Sequence, residues 1–214
     1  MQRARSSIGR ARAWHARGKG IVTPRVHNMK KESGLIEKAK KFATKAHAGQ
    51  LLKNADAFPF TEHLRRVSAL VEESSGTADE IAAAWLHDVV EDTSVTIEEI
   101  RREFGGSIAE IVEGLTDPEH FADHPNKIRK AWQAERVVDK NASVKRVKIA
   151  DQTVNTQMIS TDPPVGWNTE QRLEYVEGAR QIATNCAGVS EKLDAIFENA
   201  HQDAVATIRK EIGK

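Results

Sequence analysis

Four residues in one short run have types and spacing that could do chemistry. In "AAAWLHDVVEDTSVT" (Ala82 to Thr96), His87 and Asp88 interrupt an apolar stretch, and Glu91 and Asp92 follow one turn later. Burying unpaired ionisable groups is costly unless something compensates. On a helix His87 and Glu91 share one face and Asp88 and Asp92 another, the two faces lying about 100° apart. An imidazole and three carboxylates on adjoining stripes serve no packing purpose. They suit a divalent cation, which stabilises neighbouring carboxylates and a deprotonated imidazole.

Two more candidates lie elsewhere. In "VKIADQTVNT" (Val147 to Thr156), Asp151 and Asn155 form another i, i+4 pair beside the apolar Val147, Ile149, Ala150 and Val154. In "FPFTEHLRRVSALV" (Phe58 to Val71), His63 begins a helix directly after a loop. Each has a plainer reading. A single histidine at a helix start commonly caps it or faces water, Asp151 alone could be a surface charge, and an adjacent His-Asp pair is weak by itself. Two i, i+4 polar pairs about 60 residues apart are a stronger signal than any one of these. A mixed His/carboxylate set favours Mn²⁺ or Fe²⁺ over a thiolate-type zinc site.

These residues need helices to hold them, and the periodicity from Ser33 onward is helical. Ser33 can cap a helix with Leu35, Ala39, Phe42, Ala43 and Ala46 on one face, ended by Gly49. Further helices are expected at about 60–74, 78–91, 97–104, 106–115, 127–138, 142–157, 168–186 and 190–212. Thr96 and Glu99 form a capping box, and "FGG" (Phe104 to Gly106) separates two helices. The expected fold is all-α, a bundle of about eight to ten helices.

Composition narrows the function. The chain has 214 residues, 39% hydrophobic and 29% charged, as in an ordinary globular protein. No apolar run is long enough to span a membrane. The single Cys186 cannot form an internal disulfide, which suits a reducing, cytoplasmic setting. The net charge of +1 is uneven: residues 1–28 carry seven Lys/Arg and no acid, leaving 25 basic against 31 acidic residues in the remainder. That remainder gives no sign of a nucleic-acid-binding surface. Residues 1–28 read as a disordered basic segment, and they resemble an upstream transfer-RNA gene translated in frame. Met29, before "KKESGLIEKAKKF", is the expected natural start, so residues 29–214 are taken as the domain.

With these residues in place, the chain resembles the HD-domain superfamily of metal-dependent phosphohydrolases. Within it the similarity is to the hydrolase domain of RelA/SpoT-type alarmone enzymes and the stand-alone small alarmone hydrolases, including metazoan SpoT homologues. It runs in family order through "AKKFATKAHAGQ", "FPFTEHLRRV", "AAWLHDVVEDTSVTIEEIRREFG", "IVEGLTD", "KIADQTVN" and "EYVEGAR". The resemblance implies one Mn²⁺ held by His63, His87, Asp88 and Asp151. It implies Glu91 and Asp92 as the acid/base pair, Asn155 as a substrate-positioning residue, and Tyr175 and Lys53 as substrate contacts. The implied reaction removes the 3′-pyrophosphate of guanosine tetra- or pentaphosphate, through a water made acidic by the metal.

The departures fall at the base-contacting end. The family usually has Arg-Lys where this chain has Leu52-Lys53, Tyr where it has Phe60, and Pro where it has Leu64. A leucine can cover a purine face but supplies neither cation–π attraction nor forked donors. An adenine alarmone substrate therefore stays open, as do an HD-type hydrolase of another phosphorylated nucleotide and a non-catalytic nucleotide-sensing module. The oligomeric state is not readable, nor is a role for the loop "TDPPVGW" (Thr161 to Trp167).

Overall fold

The computed structural model describes residues 24–121 and 123–212, and most of the basic segment lies outside that range. The chain is all-α. Helices α1 (Pro24–Ala46), α2 (Thr61–Glu73), α3 (Ala78–Leu86) and α4 (Val89–Asp92) are followed by α5 (Ile97–Phe104) and α6 (Gly106–Leu115). A short 3₁₀ turn (Glu119–Phe121) leads to α7 (Asn126–Val137), α8 (Ala142–Thr161), α9 (Thr169–Cys186) and α10 (Glu191–Ile212). Among the described residues no helix is long and apolar enough to cross a membrane.

Helix α8 is the axis of the bundle. It packs against α2, α3, α6, α9 and α10. Its buried residues run almost without pause from Ile149 to Val154, so it lacks a polar stripe. A helix enclosed on all sides has no reason for one. Helix α3 is equally enclosed, with every residue from Glu80 to Leu86 buried. Its alanines let α1 and α2 approach closely. The buried Glu80 closes a capping box with Thr77 and meets Arg146 of α8 at 3.3 Å, which ties the start of α3 to the axis.

Two expected boundaries are corrected. Ser33 is not an N-cap: α1 begins at Pro24 and passes through it. Proline suits a first helical position, and nothing between it and Ser33 breaks a helix. The expected apolar face holds, with Ala39 and Ala43 fully buried and Leu35, Phe42 and Ala46 packed beside them. Residues 78–91 do not form one helix either, because α3 ends at Leu86 and α4 starts at Val89. Between them Asp88 sits at φ −97°, ψ −5°, the bridge region where site residues recur. In a regular helix adjacent side chains diverge by about 100°. The break lets His87 and Asp88 aim at one point.

The loop before α2 is pinned rather than loose. Leu51 bridges Pro59, Asn54 bridges Pro164, and the Val165 N–H donates to the Lys53 carbonyl at 2.9 Å. The segment 161–167 therefore acts as a strap across the 51–59 loop.

Gly105 both ends α5 and starts α6, at φ +90°, ψ 172°, a region that essentially only glycine occupies. Gly105→Ala is expected to lower the unfolding free energy by about 1–3 kcal/mol in urea titrations. Gly106→Ala, at an ordinary φ with open space around it, should change it by less than about 0.5 kcal/mol. Equal losses would show that Gly105 is not there for its backbone conformation.

Candidate active site

Four side chains from three parts of the fold converge below the strap. His63 sits in the first turn of α2, His87 and Asp88 in the break after α3, and Asp151 in the middle of α8. His87 Nε2 lies 3.2 Å from His63 Nε2, 3.1 Å from Asp88 Oδ2 and 3.8 Å from Asp151 Oδ1. His63 Nε2 lies 3.5 Å from Asp88 Oδ2 and 3.4 Å from Asp151 Oδ1. A divalent ion with N/O ligands at about 2.0–2.2 Å separates neighbouring donors by about 3–3.6 Å. The donor set fits such an ion, and His63, His87 and Asp88 meet the geometric requirement by themselves.

The tautomers agree. His87 Nδ1 is 2.8 Å from the Ala84 carbonyl, which can only accept, so Nδ1 carries a proton and the Nε2 lone pair of the neutral ring faces the centre. Burial alone would depress both imidazoles. The Asp88 and Asp151 carboxylates outweigh it and raise His63, and His87 further still. The same contacts hold Asp88 and Asp151 below the usual carboxylate range against their own burial.

Asp151 is fixed from behind. Asn155 donates to its Oδ1 at 2.6 Å and Gln152 to its Oδ2 at 2.7 Å, while the Lys148 ammonium lies 3.7 Å away. Asn155, expected to position substrate, thus lines the cavity while its amide is engaged by Asp151.

Glu91 and Asp92 flank the cluster. Glu91 accepts from the Asp117 N–H at 3.1 Å and from Arg129 at 3.2 Å. Burial, and then the carboxylates of Asp117 and Asp88, push it up to about 7. Burial and Asp88 also raise Asp92, whose carbonyl accepts from Gln50 at 2.9 Å. Sequence reasoning assigned no role to the network behind Glu91. The buried Asp117 meets Arg129 at 3.6 Å and Arg136 at 3.7 Å, and accepts from Gln133. Its only trace in the sequence is an acid two residues after α6 and basic residues at one face of α7.

All ten residues singled out from the sequence line one cavity of about 570 Å³. Leu52 and Lys53 enter from the strapped loop, and Tyr175 from α9 with its ring 5.5 Å from Trp167. Lys130 of α7 was not anticipated. Its ammonium donates to Gln152 at 2.6 Å and lies 4.1 Å from the centre of the Tyr175 ring. Burial pulls it down to about 7.

Comparison with known proteins follows the same lines. The HD domain pattern matches residues 39–176, about two thirds of the chain. The chain belongs to the HD-domain family. It is 29% identical over 182 residues to the Homo sapiens guanosine-3′,5′-bis(diphosphate) 3′-pyrophosphohydrolase MESH1, covering 84% of this chain and 100% of that protein. The Danio rerio protein of the same name is 33% identical over 162 residues, covering 73% and 88%. A solved structure described as a metazoan ortholog of SpoT that hydrolyses ppGpp superposes with a TM-score of 0.74 at 25% identity. It covers 78% of this chain and 94% of that one. HD-domain membership carries the divalent metal that the donor set already fits.

The raised imidazoles give a test of that set. A histidine raised in the folded protein holds its proton to higher pH than a free imidazole, and a cation must displace that proton. Affinity for a divalent ion should therefore rise with pH. Calorimetric titration with Mn²⁺ near neutral pH, in buffers of different ionisation enthalpy, should show protons released as the ion binds. Uptake without proton release would mean that the imidazoles do not join the centre.

Proposed function

We propose that this HD-domain protein is a Mn²⁺-dependent hydrolase of guanosine 3′,5′-bis(diphosphate) and its pentaphosphate, releasing pyrophosphate and GDP or GTP. The observation that carries the reading is the convergence of His63, His87, Asp88 and Asp151 beside Glu91 and Asp92. This occurs in a chain aligned along most of its length with proteins of that named activity. The domain proposed for this work is residues 29–214. A cytoplasmic location, a nucleotide substrate and no nucleic-acid partner belong to the same reading.

His63, His87, Asp88 and Asp151 would hold the single ion. When bound, it supplies Lewis acidity toward a phosphate oxygen and makes a water acidic near neutral pH. The water oxygen bonds to the phosphorus attached to the ribose 3′ oxygen, the O3′–P bond breaks, and O3′ takes a proton. Glu91, lifted to about 7, can both accept and return a proton at neutral pH. Asp92 faces the same cavity and orients the water. Asn155 holds Asp151 toward the substrate side, while Lys53 offers charge to the phosphates.

One observation supports a second substrate reading. Leu52 presents a half-buried apolar surface where a guanidinium would distinguish bases, so adenine alarmones are an alternative at the same centre.

The test is pyrophosphate release by the full chain with Mn²⁺ from guanosine and adenosine 3′,5′-bis(diphosphates). The guanosine compound is expected to turn over. Asp88→Ala should lose both metal uptake and turnover. Glu91→Gln should keep the metal while losing about 100-fold or more in kcat. Full turnover by the Glu91 variant, or metal retained by the Asp88 variant, would remove the assignment.

A further inference from the structure

Lys130 is 6% exposed, and its position is built rather than incidental. Its stem lies across Gly178 of α9, where an added Cβ would fall 2.6 Å from the Lys130 Cβ and 2.9 Å from its Cγ. The missing side chain is what lets α7 and α9 close over the stem. An ammonium placed in such surroundings normally demands a counter-ion. Among the described residues it meets an amide oxygen and a ring face but forms no ion pair.

Two other basic residues of the cavity wall are already ion-paired. Arg129 meets Glu91 and Asp117, and Lys148 meets Asp151. Lys130 lines the cavity beside Gln152, one residue from Asp151, with no carboxylate in direct ion-pair contact with its ammonium. A cavity that takes a polyanion brings the missing partner with it, and a desolvated wall strengthens that attraction.

We propose that Lys130 is a phosphate-binding residue of this cavity, contributing the cation that an incoming diphosphate group neutralises. Gln152 and the Tyr175 ring hold the ammonium at the cavity wall until then. The inference rests on the reading of the substrate as a phosphate-rich nucleotide, and it adds a contact that the sequence reading did not supply. Gln152 also offers a competing route, because it joins Lys130 to Asp151 and so to the metal centre.

The deciding experiment compares the full chain with Lys130→Met, which keeps length and volume without the charge. Lys130→Gln serves as a second variant in case the first loses structure. Three quantities are read: Kd for inorganic pyrophosphate on the metal-free protein, Kd for Mn²⁺ without substrate, and KM and kcat for guanosine 3′,5′-bis(diphosphate). Loss of one charged hydrogen bond is expected to raise the pyrophosphate Kd and the KM by about tenfold to a hundredfold. Mn²⁺ affinity should stay within about twofold, and thermal stability should be equal or higher because a buried cation has gone. Pyrophosphate affinity within about twofold of the parent would overturn the proposal. So would a loss of Mn²⁺ affinity in step with KM, since Lys130 would then act through Gln152 and Asp151. If the parent turns over no alarmone, the functional reading fails, while the pyrophosphate and Mn²⁺ titrations still decide the role of Lys130.

Discussion

Two carboxylates and two imidazoles share one nearly dry point, and the rest of the bundle is arranged around the cost of placing them there. Asp88 and Asp151 repel, and His63 and His87 lose solvation, so neither pair is tolerable without the other. Their mutual contacts raise the imidazoles and lower the carboxylates, so each pair offsets the charge of the other. A divalent ion replaces the imidazole protons with a charge that no side chain has to carry. Stability and metal affinity are thereby tied to the same few atoms.

That constraint explains where the regular structure gives way. Asp151 requires a rigid carrier, and α8 supplies one because five other helices hold it in place. His87 and Asp88 require the opposite, a helix that stops between them, and the pause between α3 and α4 provides it. Asn155, Gln152 and Lys148 then fix the Asp151 carboxylate from three directions. On the other side Arg129 and Asp117 hold Glu91 where burial keeps it near neutrality. Glu91 and the cluster are adjacent and electrostatically linked, because the Asp88 carboxylate helps to raise Glu91, so a change of charge at the cluster is felt by the Glu91 proton.

Much of this was legible in the residues. The i, i+4 pairs marked both polar clusters, the apolar period marked the helices, and Thr96 with Glu99 marked a capping box that the structure reproduces. The break at His87–Asp88 was not legible, since Ala82 to Val90 contains no helix breaker and the turn is imposed by convergence with His63 and Asp151. Lys130 and Gln152 were also invisible. They are 22 residues apart, and only the α7–α9 packing at Gly178 brings the lysine inward. Nor could the role of residues 161–167 be read. Their hydrogen bonds run to Lys53 and Asn54, more than 100 residues earlier, and such long-range pairing leaves no local pattern.

One face of α8 shows how the cavity is graded. Asp151, Gln152, Asn155, Met158, Ile159 and Asp162 all line it, at the spacing of a single helical stripe. From Asp151 to Ile159 the helix rises about 12 Å, passing from carboxylate and amide groups to an apolar floor. Leu52 and Trp167 border the same cavity, while Arg129, Lys130 and Lys148 add basic wall. A ligand with clustered negative charge at one end and a flat apolar group at the other suits both halves at once. The strap sharpens this at the apolar end. Because Asn54 is joined to Asp162 and Pro164, and Lys53 to Val165, Leu52 is not on a free loop that could swing aside. Its side chain is held as part of the wall. Replacing a guanidinium by an isobutyl group there changes what the cavity can recognise, without loosening the frame that recognises it.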